Sequence, residues 1–488
     1  MAKRLENLFF IILCILFVPV LITVLFNKIN IDLFGTRKLV IVSLIFIVVL
    51  LFGLSKIYKI WDRVKISEVK FLICITTLYF ILLICFALYF MQDGYAETSW
   101  VYEGANILAN GGSILGDGYY EIKFAQFQYL SGILFVAVFF EKIAVFFHLN
   151  ERIFLAVINC ILTSTILPSS YYICKKIFSK RAAWYSVIIL FCYIPIYFTS
   201  CIFYNYTFIF AFPVGILALY VSMMEKDNVC IKQIIAIGFL TGLGYCIFNV
   251  CAVVTIAVFI ELFLLRNKKK IALLIGLTSI VFSIVFSIYF NSQYYTYIYN
   301  EGIYNENKYP MLESTVYVGL NKDTYGRFSV EDEDFIKSYD SYQSKKEALR
   351  SQIKERWNGM SNGDKVKFLM NKAAVNFGNG TYYTEWTSND NLWKQRKIIR
   401  FFSKDYDDVK YYRSFFGAAN LGVCVTSIWG IRNRYATLVP WISIFGIMIV
   451  SLISETNPRH ILDYLPFLIV IFANFCDILY ERLERKMK

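Results

Sequence analysis

Residues 70–90 read KFLICITTLYFILLICFALYF, and no charged side chain follows Lys70 in this run. Its length falls within the roughly 17–25 apolar residues that a helix needs to cross the hydrocarbon core of a bilayer. In lipid such a segment must be helical, because an open strand would leave its backbone N–H and C=O groups unpaired. The stretch therefore predicts a transmembrane helix, and segments of the same character recur along the chain.

The sequence predicts an all-α polytopic membrane protein with about twelve transmembrane helices. The composition agrees, since 58% of the residues are hydrophobic and 17% are charged, against about 25% charged in soluble domains. The net charge of +13 is explained by basic cytoplasmic connections, and no soluble basic and aromatic segment indicates a nucleic-acid partner. The predicted spans are 7–27, 38–57, 70–90, 152–173, 182–200, 204–224, 231–247, 250–266, 271–291, 414–431, 437–454 and 460–480.

Lys and Arg residues predict the orientation of these spans. They cluster before the first span, in alternate connections and in the tail after 480, which predicts cytoplasmic N- and C-termini. Segment 125–147 is also apolar enough to cross, but crossing would move every later basic connection outside. We therefore interpret it as a juxtamembrane helix lying on the outer face.

This topology divides the chain into four parts. Residues 1–69 form a two-span extension, and 70–291 form a transmembrane module with an acidic outer loop at 91–125. Residues 292–413 form an extracytoplasmic α or α/β insertion, with helices predicted near 331–357 and 364–376, and residues 414–488 form the C-terminal transmembrane helices. The insertion contains none of the twelve cysteines, which argues against a disulfide framework.

The acidic outer loop contains two candidate catalytic residues, Asp93 and Glu97. Their spacing of four places both carboxylates on one face if the segment is helical. A carboxylate at the membrane surface can act as a general base on a hydroxyl, which is typically worth about 10²–10⁴ in rate. The alternative for both residues is a solvated acidic loop.

Polar residues in other outer connections are candidate ligand contacts. Tyr204, Asn205 and Asn249 fall at the outer membrane face, where amides can hydrogen-bond a sugar, and Arg459 in segment 455–460 offers a fork geometry for phosphate. The alternative for each is an ordinary polar turn. The chain has no nucleotide-binding phosphate loop, and its two histidines cannot form a His-rich metal site.

Several stretches together resemble one known family. They are ETSWVYEGANILANG at 97–111, YEIKFAQFQYLSG at 120–132, PMLESTVYVGL at 310–320 with Gly326, GNGTYY at 378–383 and ETNPRHILDYLPF at 455–467. Their order and sidedness resemble the GT-C membrane glycosyltransferases, and more closely the bacterial protein-mannosyltransferase-like members (glycosyltransferase family 39-like). The family's acidic residue is usually Asp, its Tyr stands at His460, and it often has a Lys where this chain has Phe248–Asn249.

The resemblance implies transfer of a sugar from a polyprenyl-phosphate donor to a cell-envelope polymer, lipid or protein, with inversion, at the outer face of a bacterial plasma membrane. Either Glu97 or Asp93 would act as the base. The resemblance leaves a divalent cation open and does not indicate an oligomeric state. The remaining predicted site residues are Arg459 and Lys123 at the donor phosphate, and Asn205, Tyr204, Asn249, Glu455 and His460 at the sugar or acceptor.

Two other functional classes are compatible with about twelve spans. A transporter or lipid flippase is disfavoured because no internal repeat is evident. The spans are also nearly free of ionisable residues, with Glu261 close to an end. A diverged, non-catalytic member acting in cell-envelope assembly differs from a transferase only in activity.

Overall fold

The computed structural model describes residues 2–26, 39–63, 67–91, 97–224, 230–378, 409–432, 435–457, 460, 462–463 and 465–487. Within these ranges the chain is helical and contains no strand. Its helices are Ala2–Phe26, Leu39–Arg63, Glu68–Tyr89, Glu97–Ala109, Tyr119–Gln126, Ser131–Phe146, Glu151–Ser164, Ile166–Ile177, Lys180–Cys192, Ile194–Thr199, Asn205–Met224, Ile231–Ile247, Val250–Ile260, Lys269–Tyr297, Glu301–Asn307, Met311–Gly319, Val330–Lys337, Tyr342–Asn358, Asn362–Gly378, Val409–Arg432, Val439–Ile453 and Leu465–Met487.

The apolar helices follow the predicted spans in order and agree with most of their boundaries within a few residues. Among the residues described, five helical segments are long and apolar enough to cross a membrane: Glu68–Tyr89, Gln128–Phe146, Glu151–Ile177, Asn205–Met224 and Lys269–Tyr297. Shorter apolar helices cover Ile231–Ile247, Val250–Leu265 and Val439–Ile453. The prediction of an all-α polytopic membrane protein is confirmed.

Ion pairs tie helices together at one end of the bundle. Glu68, in the first turn of Glu68–Tyr89, accepts hydrogen bonds from Tyr171 at 3.1 Å and from Lys175. Lys180 lies 2.9 Å from the other oxygen of the same carboxylate. Basic residues at the C-terminal end of Glu151–Ile177 and just after it therefore gather at the end where Glu68 lies.

Residues 124–132 lie at the opposite end. Tyr294, near the C-terminus of Lys269–Tyr297, donates to the carbonyl of Phe124 at 3.2 Å. Gly132 packs so closely on the C-terminal turn of Ile231–Ile247 that an added Cβ would stand 1.9 Å from the carbonyl oxygen of Cys246. Only glycine permits this backbone approach, which fixes the start of Ser131–Phe146 at this end.

We call helix Ser131–Phe146 the juxtamembrane helix. Its first and last residues lie at the same end of the helical bundle. The helix is followed by Asn150, whose side chain caps Glu151–Ser164 with a 3.0 Å bond to Ile153 N. The continuation of that helix reaches Glu68 at the far end of the bundle. Both ends of the juxtamembrane helix therefore lie at one end of the bundle, although the length and composition of Gln128–Phe146 would also allow it to cross a membrane.

The described part of the insertion, up to Gly378, is a set of short helices. The predicted helix near 331–357 is two helices, because Ser341 forms a capping box with Ser344 and starts Tyr342–Asn358 anew. The predicted helix near 364–376 lies within Asn362–Gly378. Arg356 joins the pieces, since it pairs with Asp332 and donates to the carbonyl of Tyr317 at 2.7 Å.

Candidate functional site

Glu97 lies at the N-terminus of helix Glu97–Ala109, where its carboxylate accepts two tyrosine hydroxyls. Tyr129 Oη donates to Oε1 at 2.6 Å, and Tyr204 Oη donates to Oε2 at 3.0 Å. Tyr129 is 41% exposed, whereas Tyr204 is 2% exposed. One carboxylate oxygen therefore lies on the open side and the other on the protein side, and the two hydrogen bonds define the orientation of the group.

Short turns position the two tyrosines. Tyr129 lies in the 3₁₀ turn Gln128–Leu130, immediately before the juxtamembrane helix. Tyr204 follows a turn that Asn159 holds from a neighbouring helix, with its buried Nδ2 donating to the carbonyls of Ser200 at 2.9 Å and Ile202 at 2.8 Å. Both hydroxyls are therefore presented to Glu97 by backbone that is fixed by packing or by hydrogen bonds.

Lys123, on helix Tyr119–Gln126, contacts Trp100, which stands one helical turn after Glu97. Its Nζ lies 4.9 Å from the Trp100 ring centroid and 5.6 Å from that of Tyr119. The Trp100 indole N–H also donates to Tyr119 Oη at 3.1 Å. Trp100 stands three residues after Glu97 on the same helix, so both project from one face. The Lys123 ammonium is thus held on an aromatic surface that includes a residue one turn from Glu97.

Asn205 is buried, at 8% exposure, beside Tyr204. Its Oδ1 finds no hydrogen-bond partner among the residues that the structure describes. A buried amide oxygen in this condition can accept a hydrogen bond from a ligand hydroxyl.

The segment between Val439–Ile453 and Leu465–Met487 meets the turn between Ile231–Ile247 and Val250–Ile260. The rings of His460 and Phe248 lie 6.4 Å apart, centroid to centroid, and His460 N donates to the carbonyl of Asn457 at 2.9 Å. Asn249, next to Phe248, is exposed. The structure therefore brings together two polar segments that the sequence predicted separately.

The two groups of residues lie at the same end of the bundle. Tyr129 precedes the start of the juxtamembrane helix, where Gly132 contacts the carbonyl of Cys246, and Phe248 follows two residues later. Glu455 lies near the ammonium of Lys372 and favours its charged form. Glu97, Lys123, Tyr204, Asn205, Asn249, Glu455 and His460 are all described, whereas Asp93 and Arg459 lie outside the described residues.

Two residues of this region were absent from the predicted site. Tyr129 lies inside the quoted 120–132 motif, where its hydroxyl could have been considered as a partner for an acidic residue. Lys372 lies on an amphipathic helix of the insertion, where a lysine ordinarily faces solvent, so the sequence offered no signal. Among the residues described, no group of three or more His, Cys, Asp or Glu side chains could hold a metal ion.

Comparison with known proteins finds no matching family model and no matching curated protein. Among solved structures, the chain is similar to ArnT from Cupriavidus metallidurans bound to undecaprenyl phosphate, with 10% identity, a TM-score of 0.36, and coverage of 84% of this chain and 78% of that one. The apo state of the same protein has a TM-score of 0.33 at the same identity and coverage.

The chain is also similar to an archaeal protein. It is the oligosaccharyltransferase AglB from Archaeoglobus fulgidus, in complex with an inhibitory peptide and a dolichol-phosphate. The identity is 10% and the TM-score 0.43, over 86% of this chain and 52% of that one. The chain therefore spans about half the length of AglB.

Proposed function

We propose that this protein is a GT-C-type glycosyltransferase of the protein-mannosyltransferase-like kind. It would transfer a sugar from a polyprenyl-phosphate donor to a cell-envelope acceptor at the outer membrane face. The observation that carries the proposal is the carboxylate of Glu97, oriented by the hydroxyls of Tyr129 and Tyr204. It lies at the end of the bundle where the juxtamembrane helix and residues 455–457 and His460 also lie.

Glu97 would act as the general base. A hydroxyl of the acceptor gives its proton to the carboxylate while its oxygen attacks the anomeric carbon of the donor sugar. The bond between that carbon and the phosphate oxygen breaks, and polyprenyl phosphate leaves. A single displacement of this kind inverts the anomeric centre, so one base suffices and no covalent sugar intermediate forms.

Positive charge is needed where the leaving phosphate gains charge. Lys123 supports this role because its ammonium lies over Trp100, one helical turn from Glu97. Arg459 is assigned to the same phosphate from its position in the 455–467 motif. Asn205, with an unpartnered Oδ1, would accept a hydrogen bond from a hydroxyl of the sugar or the acceptor.

The reaction is tested with purified protein in lipid vesicles and a panel of radiolabelled polyprenyl-phosphate sugars. Each sugar is offered with wall-polymer, lipid and peptide acceptors, so that the same assay identifies the acceptor class. Glu97→Gln should lower turnover by about 100-fold or more. Glu103→Gln is the matched control, because Glu103 lies on the same helix with a 46% exposed side chain, and its turnover should stay near that of the wild type.

Other outcomes separate the alternatives. Loss of turnover in Asp93→Asn but not in Glu97→Gln would assign the base to Asp93. Retention of turnover by both variants within about tenfold would refute the general-base mechanism. If the folded wild-type protein turned over none of the donors with any acceptor, a transporter or an assembly scaffold would replace the transferase.

A further inference from the structure

Lys372 is a fully buried lysine at the junction between the insertion and the last outer segment. It belongs to helix Asn362–Gly378 and is 0% exposed. Its Nζ donates to the carbonyl of Gly319 at 2.6 Å and also to the carbonyl of Ser454. The first carbonyl ends helix Met311–Gly319 of the insertion, and the second begins the segment that leads from Val439–Ile453 to His460. One side chain thus joins two segments about 130 residues apart in the sequence.

The backbone segments around Lys372 pack so closely that only glycine fits at positions 319 and 326. A Cβ added to Gly319 would stand 2.6 Å from the carbonyl oxygen of Ser454. Gly326 has a φ of +78°, and a Cβ there would stand 2.7 Å from the carbonyl oxygen of Gly319 and 2.8 Å from Thr456 Oγ1. Glycine is therefore required at both positions, by close approach at the first and by backbone conformation as well at the second.

Hydrogen bonds extend the junction along the last outer segment. Thr456 N donates to the carbonyl of Gly326 at 2.7 Å, and Thr456 Oγ1 donates to the carbonyl of Tyr325 at 2.8 Å. Asn376, one helical turn after Lys372, donates to the carbonyl of Ser451 at 3.3 Å. Residues 451–456 are thus held by the insertion at several points, a few residues before His460.

Burying an amine is energetically unfavourable, because a charge that is removed from water needs good hydrogen-bonding or charged partners. Burial lowers the pKa of Lys372 to about 7, and the nearby charge of Glu455 acts in the opposite direction. A neutral amine keeps two N–H donors, which equals the number of carbonyls that it serves. Both hydrogen bonds can therefore be kept whether or not the amine is protonated.

We propose that Lys372 is a positioning residue, which fixes the last outer segment to the insertion and so sets the placement of the donor-binding motif at 455–460. This inference rests on the proposed function. On this proposal the described part of the insertion forms a rigid side of the site. The reason is that residues 454–456, which the insertion holds by hydrogen bonds, directly precede Arg459 and His460 in the sequence.

The first test needs no activity. Hydrogen exchange is measured on peptides covering 319–326 and 451–457 in the wild type and in Lys372→Met, which fills similar volume without donors. Exchange in both peptides should rise by about tenfold or more. Lys367→Met is the matched control, because Lys367 is exposed on the same helix, and its exchange should match the wild type. Unchanged exchange in folded Lys372→Met would overturn the proposal.

The second test uses transfer kinetics. Lys372→Met should raise the donor KM and lower kcat, each by about tenfold. A merely structural loss would lower the apparent kcat in proportion to the folded fraction and leave both KM values alone, and that result would overturn the positioning role. If the wild type showed no transfer, the proposed function would fail and the exchange experiment alone would decide whether Lys372 clamps the junction.

A milder variant covers the case in which Lys372→Met does not fold. Thr456→Val removes only the hydroxyl that donates to Tyr325 and keeps the shape of the side chain. It should raise exchange in 451–457 and raise the donor KM by a few-fold. Wild-type values for both quantities would overturn the proposal.

Discussion

The two tyrosines that donate hydrogen bonds to Glu97 should differ in their importance for turnover. The tyrosine with the longer bond should be the more important one. Tyr129 makes the shorter bond, 2.6 Å against 3.0 Å for Tyr204. However, Tyr129 is 41% exposed, so water can replace its hydroxyl on the carboxylate, whereas Tyr204 is 2% exposed. Removing a buried donor costs more than removing an exposed donor, whose place on the acceptor water can take. We therefore expect Tyr204→Phe to be the more damaging change.

The magnitude follows from the energy of a hydrogen bond to a charged group. Such a bond contributes about 1.5–3 kcal/mol when buried, and each 1.36 kcal/mol is tenfold in rate. Tyr204→Phe should thus lower kcat by about 10- to 100-fold if the bond orients the base throughout the reaction. Tyr129→Phe should lower it by about two- to threefold, because solvent replaces the donor.

The assay is the initial rate of sugar transfer in lipid vesicles at saturating donor and acceptor. Tyr79→Phe is the matched control: Tyr79 is fully buried, and its hydroxyl has no hydrogen-bond partner among the described residues. Its rate should equal that of the wild type, and thermal unfolding of all three variants checks that they fold. An equal or greater loss in Tyr129→Phe than in Tyr204→Phe would refute the argument from burial.

Three further predictions test the fold and the junction. Gly132→Ala should lower the thermal unfolding midpoint by several degrees, because its Cβ would stand 1.9 Å from the carbonyl oxygen of Cys246. Gly53→Ala, with nothing within 4 Å, should leave the midpoint unchanged or higher, and equal midpoints for the two variants would contradict the close packing. The pKa of Lys372 in the folded protein is about 7, below the ordinary value of about 10.4. Between these two pH values the unfolded chain therefore binds more protons than the folded chain. The free energy of unfolding consequently rises with pH in this range. From pH 7 to pH 9 the free energy of unfolding of the wild type should rise by about 2 kcal/mol relative to Lys372→Met, and parallel pH profiles would contradict this assignment. A cysteine replacing Lys180, in a background without other accessible cysteines, should react with an impermeant thiol reagent only from the inside; reaction from the outside would mean that the juxtamembrane helix crosses the membrane.

The insertion shows where sequence reasoning reached its limit within a single element. The pattern at 331–357 predicted one helix, and the structure has two: the first ends at Lys337, and Ser341 and Ser344 form a capping box that starts the second at Tyr342. Local hydrogen bonds of this kind compete with the hydrogen bonds of a continuous helix. The spacing of apolar residues along the sequence gives little indication of them. The helix at 364–376 was predicted correctly in place, but not the burial of Lys372 within it.

The helical architecture, the order of its apolar segments and the candidacy of Glu97 could be inferred from the sequence alone. Lipid requires each crossing segment to satisfy its own backbone and to be apolar along its length, so this information is local and can be read segment by segment. The partners of Glu97 and the burial of Lys372 depend on segments that are between 30 and more than 100 residues apart. A hydroxyl or an amine acquires its role only when packing excludes water and brings its partner within hydrogen-bond distance, and that is a property of the tertiary structure.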